Sequence, residues 1–166
     1  MDRTEIVRLL TELGRRLAAR GLNGDMYVVG GAAIALAFDA RRVTRDIDAV
    51  FEPKIEIYKE AGDMARDEGL PDGWLNDAVK SFLAAPDEAA AVALDLPGLR
   101  VSTASARALL ALKVLAHRVG EDEEDVRLLA RELHLSTADE VLAAAEATFG
   151  DRLEPAARFF VEELFA

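Results

Sequence analysis

The chain has 166 residues, 51% of them hydrophobic, with 31 acidic against 20 basic side chains, a formal charge of -11 and no cysteine. That length fits one domain, or one core with a helical extension. The missing cysteines exclude disulfides, thiolate metal sites and Cys nucleophiles. The acidity disfavours a groove for duplex DNA, because the field repels phosphate at long range. Solubility alone is the plainer reading of the charge, and a local basic patch stays open.

No apolar stretch is long enough to span a membrane. The opening Met1-Asp-Arg-Thr-Glu5 lacks the apolar run of a signal peptide, so a cytoplasmic location is expected.

In chain order, Ile6, Leu9, Leu10, Leu13 and Leu17 recur at helical spacing, and Asp2 with Glu5 resembles a capping box. Gly21 and Gly24 are expected to end that helix. Met26–Val29 reads as a short strand running into Gly30-Gly31, and Ala32–Phe38 as a short helix opening on those glycines. A strand over Asp46–Phe51 would place Asp46, Asp48 and Val50 on one face and Ile47, Ala49 and Phe51 on the other. Pro53 stops it.

A helix over Ile55–Glu68 closes on Gly69, and Leu70–Pro86 reads as irregular. Ala91–Leu96 and Leu99–Ser102 read as strands joined by Pro97-Gly98. Ser105–Val119 is apolar almost all round, which predicts a buried helix. Helices capped by Asp122 and by Ser136 or Thr137 follow, the latter ending near Gly150, and a last one spans Pro155–Phe165. The expected fold class is therefore α+β: a small mixed sheet flanked by helices over residues 1–103, with a helical part over 104–166 packed on it.

Chemistry concentrates in Val28-Val-Gly-Gly31 and, after fourteen intervening residues, Asp46-Ile-Asp48-Ala-Val-Phe51. Glycines at a strand–helix junction let backbone N–H groups approach a triphosphate, and the helix N-terminus adds favourable partial charge. Two neighbouring carboxylates repel unless a cation lies between them. Mg²⁺ suits them, since it takes oxygen ligands and keeps part of its shell for water and phosphate. Separately, a Gly-Gly is usually a turn and an Asp-x-Asp a solvated strand edge; together, in strand–helix–strand order, they are far more specific. Arg41, Arg42 and Arg45 precede the carboxylates, either to contact phosphate or to balance the aspartates.

Lys113 is the one charge in the apolar run Ala108–Ala116, followed by His117 and Arg118. A charge there is costly unless it is paired or reaches the surface. A phosphate would meet that cost, and so would Asp122 or Asp125 folding back. His117 has no partners suggesting a triad.

The run Val-Gly-Gly-Ala-Ala-Ile-Ala-Leu, followed by Arg-Arg-Val-Thr-Arg-Asp-Ile-Asp-Ala-Val, resembles the signature of the nucleotidyltransferase (polymerase-beta-like) superfamily. More narrowly, the chain resembles small bacterial AbiEii- and MenT-type nucleotidyltransferase toxins. Trp74-Leu-Asn-Asp77, and Leu109-Leu-Ala-Leu-Lys113 with Arg118 and Asp125, are similar to segments of those proteins. The likeness spans about residues 26–127.

It implies a nucleotidyltransferase-like fold and an NTP-dependent enzyme in which Gly30 and Gly31 hold the triphosphate, with Arg45 and Lys113 on phosphate. Asp46 and Asp48 would bind Mg²⁺, and Asp125 would complete the site; Asp95 is the other position for that third carboxylate. It further implies transfer of a nucleoside monophosphate to a hydroxyl, tRNA foremost, by the toxin of a toxin–antitoxin pair with a cognate antitoxin. A protein or small-molecule acceptor, or a non-catalytic nucleotide-binding module, are the alternatives. Two departures stand: the spacing from Gly31 to Asp46 is slightly longer than the superfamily pattern, and Gly31 stands where toxin relatives often carry Ser.

Overall fold

A computed structural model describes residues 1–79 and 86–166. Among them are seven α-helices and five strands, an α+β arrangement. The described residues fall into two compact units. One comprises those of Met1–Ser81 and Ala89–Ala104, the other those of Phe82–Glu88 and Ser105–Ala166.

In the first unit α1 (Arg3–Ala19) starts where the Asp2 side chain accepts the Glu5 N–H, one half of the capping box that the sequence suggests. Arg20 closes it, and Gly21 adopts a left-handed conformation at φ 69°. Gly24 does not belong to that ending. It opens β1 (Gly24–Val28), where an added Cβ would sit 3.0 Å from Ile57 and 3.2 Å from Leu99. Close packing, rather than helix termination, explains this glycine.

α2 spans Gly30–Ala37 and β2 Ile47–Glu52. α3 (Lys54–Glu68) ends on Gly69, whose left-handed φ of 67° favours a residue without Cβ. β3 (Leu75–Asn76) lies within the stretch 70–86 expected to be irregular, of which residues 80–85 are outside the described residues. β4 (Ala91–Leu96) and β5 (Leu99–Thr103) form an antiparallel hairpin turning at Pro97-Gly98. An added Cβ on Gly98 would come within 2.3 Å of the Gly14 carbonyl, so the turn abuts the backbone of α1.

The sheet runs β3-β2-β1-β5-β4. β1 is central, antiparallel to β2 and parallel to β5, while β3 adds to β2 in parallel. Alternation divides the sheet into two faces. Met26, Val28, Ile47, Ala49, Phe51, Leu99 and Val101 are buried on one, which meets the apolar stripe of α1 and Ile57 of α3. Asp25, Tyr27, Asp48, Val50, Glu52, Arg100 and Ser102 fall on the other and are exposed or half-buried.

The second unit is helical: α4 (Ala106–Ala116), α5 (Glu123–Glu132), α6 (Ala138–Phe149) and α7 (Pro155–Leu164). Its core joins Leu109, Leu110 and Val114 to Val126, Leu129, Val141, Phe149, Phe160 and Val161. α4 is shorter than the apolar run suggests. It stops at His117, whose left-handed φ of 36° turns the chain toward Asp122. Thr137 caps α6 in a reciprocal capping box with Glu140, settling the choice between Ser136 and Thr137. Backbone N–H groups of Ser136 and Thr137 donate to the Glu140 carboxylate and hold its pKa below the ordinary 4.5. None of the described helices is long and apolar enough to cross a membrane.

Candidate functional site

The site begins where β1 ends. The Val29 N–H donates to the Asp48 carbonyl at 2.9 Å, drawing the end of β1 against the start of β2. Val29 is extended and serves as N-cap, with no side-chain hydrogen bond to the helix. Gly30 then turns the chain abruptly into α2 at φ 63°, a conformation that L side chains resist. Gly30 and Gly31 are thus the first turn of α2 itself, two residues earlier than the sequence reading began it. That turn carries backbone N–H donors with no acidic side chain among them, the usual setting for an anion.

Asp48 comes directly against this turn. A Cβ added to Gly30 would lie 3.2 Å from Asp48 Oδ2, so the carboxylate occupies the space a side chain would need. Gly31 is crowded from the other direction. Its added Cβ would lie 2.9 Å from Thr44 Oγ1 and 3.1 Å from Thr44 Cβ, with Arg42 Nη2 at 3.9 Å. A serine at 31 would meet the same atoms.

Asp46 is placed differently from expectation. β2 starts at Ile47, so strand alternation does not by itself put Asp46 beside Asp48. The reason is local: the Thr44 hydroxyl donates to the Asp46 carbonyl at 3.1 Å, a side-chain bond that competes with strand pairing. Pairing with the neighbouring segment begins one residue on, where the Ile47 N–H donates to the Trp74 carbonyl. Asn76 restores the juxtaposition. Its Cα is in register with Asp48, while its side-chain Nδ2 donates to Asp46 Oδ2 at 3.2 Å. Both carboxylates are half-buried and share one short stretch of the β2–β3 edge.

The three arginines before them separate. Arg41 is exposed and pairs with Asp39, whose pKa is lowered by the Arg41 backbone N–H and then its guanidinium. Arg42 donates to the Val43 carbonyl near Gly31. Arg45 is exposed and makes no hydrogen bond or ion pair among the described residues.

Behind the carboxylates the Trp74–Asp77 segment is fastened to α3. The Trp74 indole donates to the Ala61 carbonyl at 3.0 Å and is buried. The Tyr58 hydroxyl donates to Asp77 Oδ1 at 2.6 Å, and Lys54 forms an ion pair with the same carboxylate. Burial raises the Tyr58 pKa, and the bond to Asp77 adds to it.

Lys113, Asp122 and Asp125 lie together in the helical unit. Lys113 Nζ is 2.6 Å from Asp122 Oδ1 and 2.8 Å from Asp125 Oδ2, and all three side chains are buried. Arg118 also donates to Asp122. Burial pushes the Asp122 carboxyl up, but bonds from Arg118 and Lys113 outweigh it and leave the pKa below the ordinary carboxylate value. Of the two ways to meet the cost of burying Lys113, carboxylates folding back is the one present. Asp122 begins α5 as expected but spends its side chain on Lys113 and Arg118, not on capping. His117 Nδ1 sits 2.9 Å from the Leu115 carbonyl, a local turn contact.

Asp95 is far from the carboxylate pair. It is exposed on β4, in register with Arg100, which in turn aligns with Asp25 and Glu52. Three strand spacings of about 4.8 Å, and four residues along β2 at about 3.4 Å each, put it roughly 20 Å from Asp48.

Among the described residues no three or more His, Asp, Glu or Cys side chains converge. The Asp46/Asp48 pair is still a donor set that fits Mg²⁺, which takes one or two protein carboxylates and fills its shell with water and phosphate oxygen. Asn76 and Thr44 were missed as site residues by sequence reasoning. The only signal for Asn76 was the Trp74–Asp77 likeness; for Thr44 there was none beyond its place before Asp46.

The family described as "Nucleotidyltransferase of unknown function (DUF6036)" matches residues 5–156. Among solved structures, the chain is similar to an antigenic nucleotidyltransferase-like protein from Paracoccidioides brasiliensis, with 17% identity and a TM-score of 0.50. The match covers 98% of this chain and 94% of that one, and it carries the fold alone. No curated protein matches.

Proposed function

As this chain belongs to the family of nucleotidyltransferases of unknown function, we propose that it moves a nucleoside monophosphate from a nucleoside triphosphate to a hydroxyl acceptor. The observation that carries this reading is the position of Asp48 Oδ2, 3.2 Å from where a Cβ on Gly30 would stand, at the start of α2 that has no side-chain cap. It sets a carboxylate beside backbone donors suited to phosphate, which is what joining a metal-bound triphosphate to an acceptor requires.

In the reaction the acceptor oxygen bonds to the α-phosphorus while the bond from that phosphorus to pyrophosphate breaks. Pyrophosphate leaves with the electron pair, and the hydroxyl proton passes to a carboxylate oxygen of the site. Gly30 and Gly31 orient the triphosphate through backbone N–H groups, and Arg45 is free to meet phosphate oxygen. Asp46 and Asp48 would hold Mg²⁺, which supplies charge neutralisation to the phosphates and acidifies the attacking hydroxyl. On the resemblance to AbiEii- and MenT-type toxins, Lys113 is assigned to phosphate and Asp125 to the third carboxylate. The same resemblance favours tRNA as acceptor and a toxin role, with a cognate antitoxin, in the cytoplasm.

The test is calorimetry of Mg-NTP binding to the wild type and Asp48→Ala, followed by incubation with each α-labelled NTP, Mg²⁺ and total cellular RNA or protein. Binding by the wild type, its loss in Asp48→Ala and label on RNA are expected. Equal binding by both proteins, or by neither, sinks the catalytic reading. Label on protein or a small molecule instead of RNA removes tRNA, and binding without pyrophosphate release leaves a nucleotide-binding module.

A further inference from the structure

We propose that Asn76 is a positioning residue that fixes the Asp46 carboxylate for cation binding; this rests on the metal-dependent reading above. Its amide is committed at both ends. Oδ1 accepts the Ala78 backbone N–H at 3.2 Å, and Nδ2 donates to Asp46 Oδ2 at 3.2 Å. A backbone N–H can only donate, so it must face the amide oxygen. That leaves the NH₂ group, and no other end, for Asp46. With its oxygen facing Ala78 and its NH₂ group facing Asp46, Asn76 acts on the site through Asp46.

The consequence falls on the two oxygens of Asp46. Oδ2 is occupied by Asn76, while Oδ1 accepts no hydrogen bond among the described residues. A carboxylate tied at one oxygen keeps a single rotamer and presents the other. A ligand left to rotate must lose that freedom when it binds a cation, and such outer partners typically matter 10–100-fold in metal affinity. A neutral amide is suited to the task, because a carboxylate at 76 would face Asp46 with like charge.

The two residues flanking β3 explain why Asn76 holds its place. Trp74 is bonded into α3 through its indole, and Asp77 is clasped by Tyr58 and Lys54 of the same helix. A two-residue strand has little pairing of its own. Fastened at both ends, it presents Asn76 to Asp46 at a fixed height along β2. The Trp74-Leu-Asn-Asp77 run thus reads as anchor, core residue, positioning amide and clasp.

The experiment titrates Mn²⁺ alone into the full chain, reading free Mn²⁺ by electron paramagnetic resonance, for wild type, Asn76→Ala, Asn76→Ser and Tyr58→Phe. Thermal melts accompany each. Asn76→Ala is expected to bind Mn²⁺ about 10-fold more weakly at an unchanged melting temperature. Asn76→Ser, too short to span the gap, should follow it and serves if the alanine variant folds poorly. Tyr58→Phe leaves the Asn76 amide intact and should keep most of the affinity. Equal affinity in wild type and both Asn76 variants overturns the proposal and leaves the metal reading standing. An equal fall in Tyr58→Phe also overturns it, because general loosening of the segment would then suffice. No Mn²⁺ binding by the wild type, with or without NTP, refutes the metal reading itself.

Discussion

Replacing Gly31 by alanine isolates the packing between the glycine turn and the loop that carries Asp46. Gly31, unlike Gly30, has no left-handed φ, so its backbone accepts alanine, and a Gly→Ala change in a helix ordinarily gains about 0.5–1 kcal/mol. Here the new Cβ would stand 2.9 Å from Thr44 Oγ1 and 3.1 Å from Thr44 Cβ. Overpacking of that kind costs about 1–3 kcal/mol. Moving Thr44 aside also gives up its bond to the Asp46 carbonyl, about 0.5–1.5 kcal/mol net. The sum favours destabilisation by roughly 1–3.5 kcal/mol, or about 3–10 °C in melting temperature for a chain of this size.

A double-mutant cycle with Thr44→Ala supplies the discriminating assay. Thr44→Ala removes the closer of the two colliding atoms, so the pair should be less destabilised than the sum of the single variants by about 1 kcal/mol. Urea unfolding measures all four corners. Mn²⁺ affinity, read alongside, should fall in Gly31→Ala because Asp46 loses its carbonyl anchor. Gly31→Ala as stable as the wild type, or strictly additive with Thr44→Ala, refutes the steric reasoning.

Two further outcomes follow from charge. Lys113→Met takes the shared cation away from the buried Asp122 and Asp125 carboxylates and should cost about 3–5 kcal/mol in urea unfolding; a melt like that of the wild type contradicts the buried-pair account. Glu12 accepts from Arg15 and Arg16, and these bonds lower its pKa from 4.5 to about 2. A depressed folded pKa means the stabilisation is fully present above about pH 4.5 and lost as pH falls toward 2. Urea midpoints of wild type and Glu12→Gln should therefore converge across that interval, and a gap that stays constant removes Glu12 from the acid response.

The Asp-x-Asp and Gly-Gly pair was legible because each residue type has few physical uses at a strand–helix–strand junction. The start of α6 was readable only as far as Ser136 or Thr137, and the reciprocal bonds between Thr137 and Glu140 decide between them. What escaped depended on partners distant in sequence. Gly24 reads as a helix stop until Ile57 and Leu99 are seen closing on it. β3 has no alternation to detect in two residues; it exists because Ile47 and Asp48 lie alongside Leu75 and Asn76. The one-residue error at the start of β2 came from Thr44, whose hydroxyl takes the Asp46 carbonyl before the ladder can.

Lys113 shows how a correct physical question admits two answers. The sequence poses a buried cation that needs an anion, and either a phosphate or a carboxylate satisfies it. Asp122 and Asp125 meet Lys113 with two carboxylates, and Arg118 joins Asp122 while also pairing with Glu121, so two cations face three anions. Such a cluster has no unmet demand for phosphate. The glycine turn differs: its first-turn N–H groups have no side-chain cap, and no acidic residue lies in that turn. The better place for an anion is therefore the turn at Gly30 and Gly31, with the Asp48 carboxylate beside it. A triphosphate carrying its metal would suit that arrangement, so the proposed reaction rests on Gly30, Gly31, Asp46 and Asp48 before any role is given to Lys113.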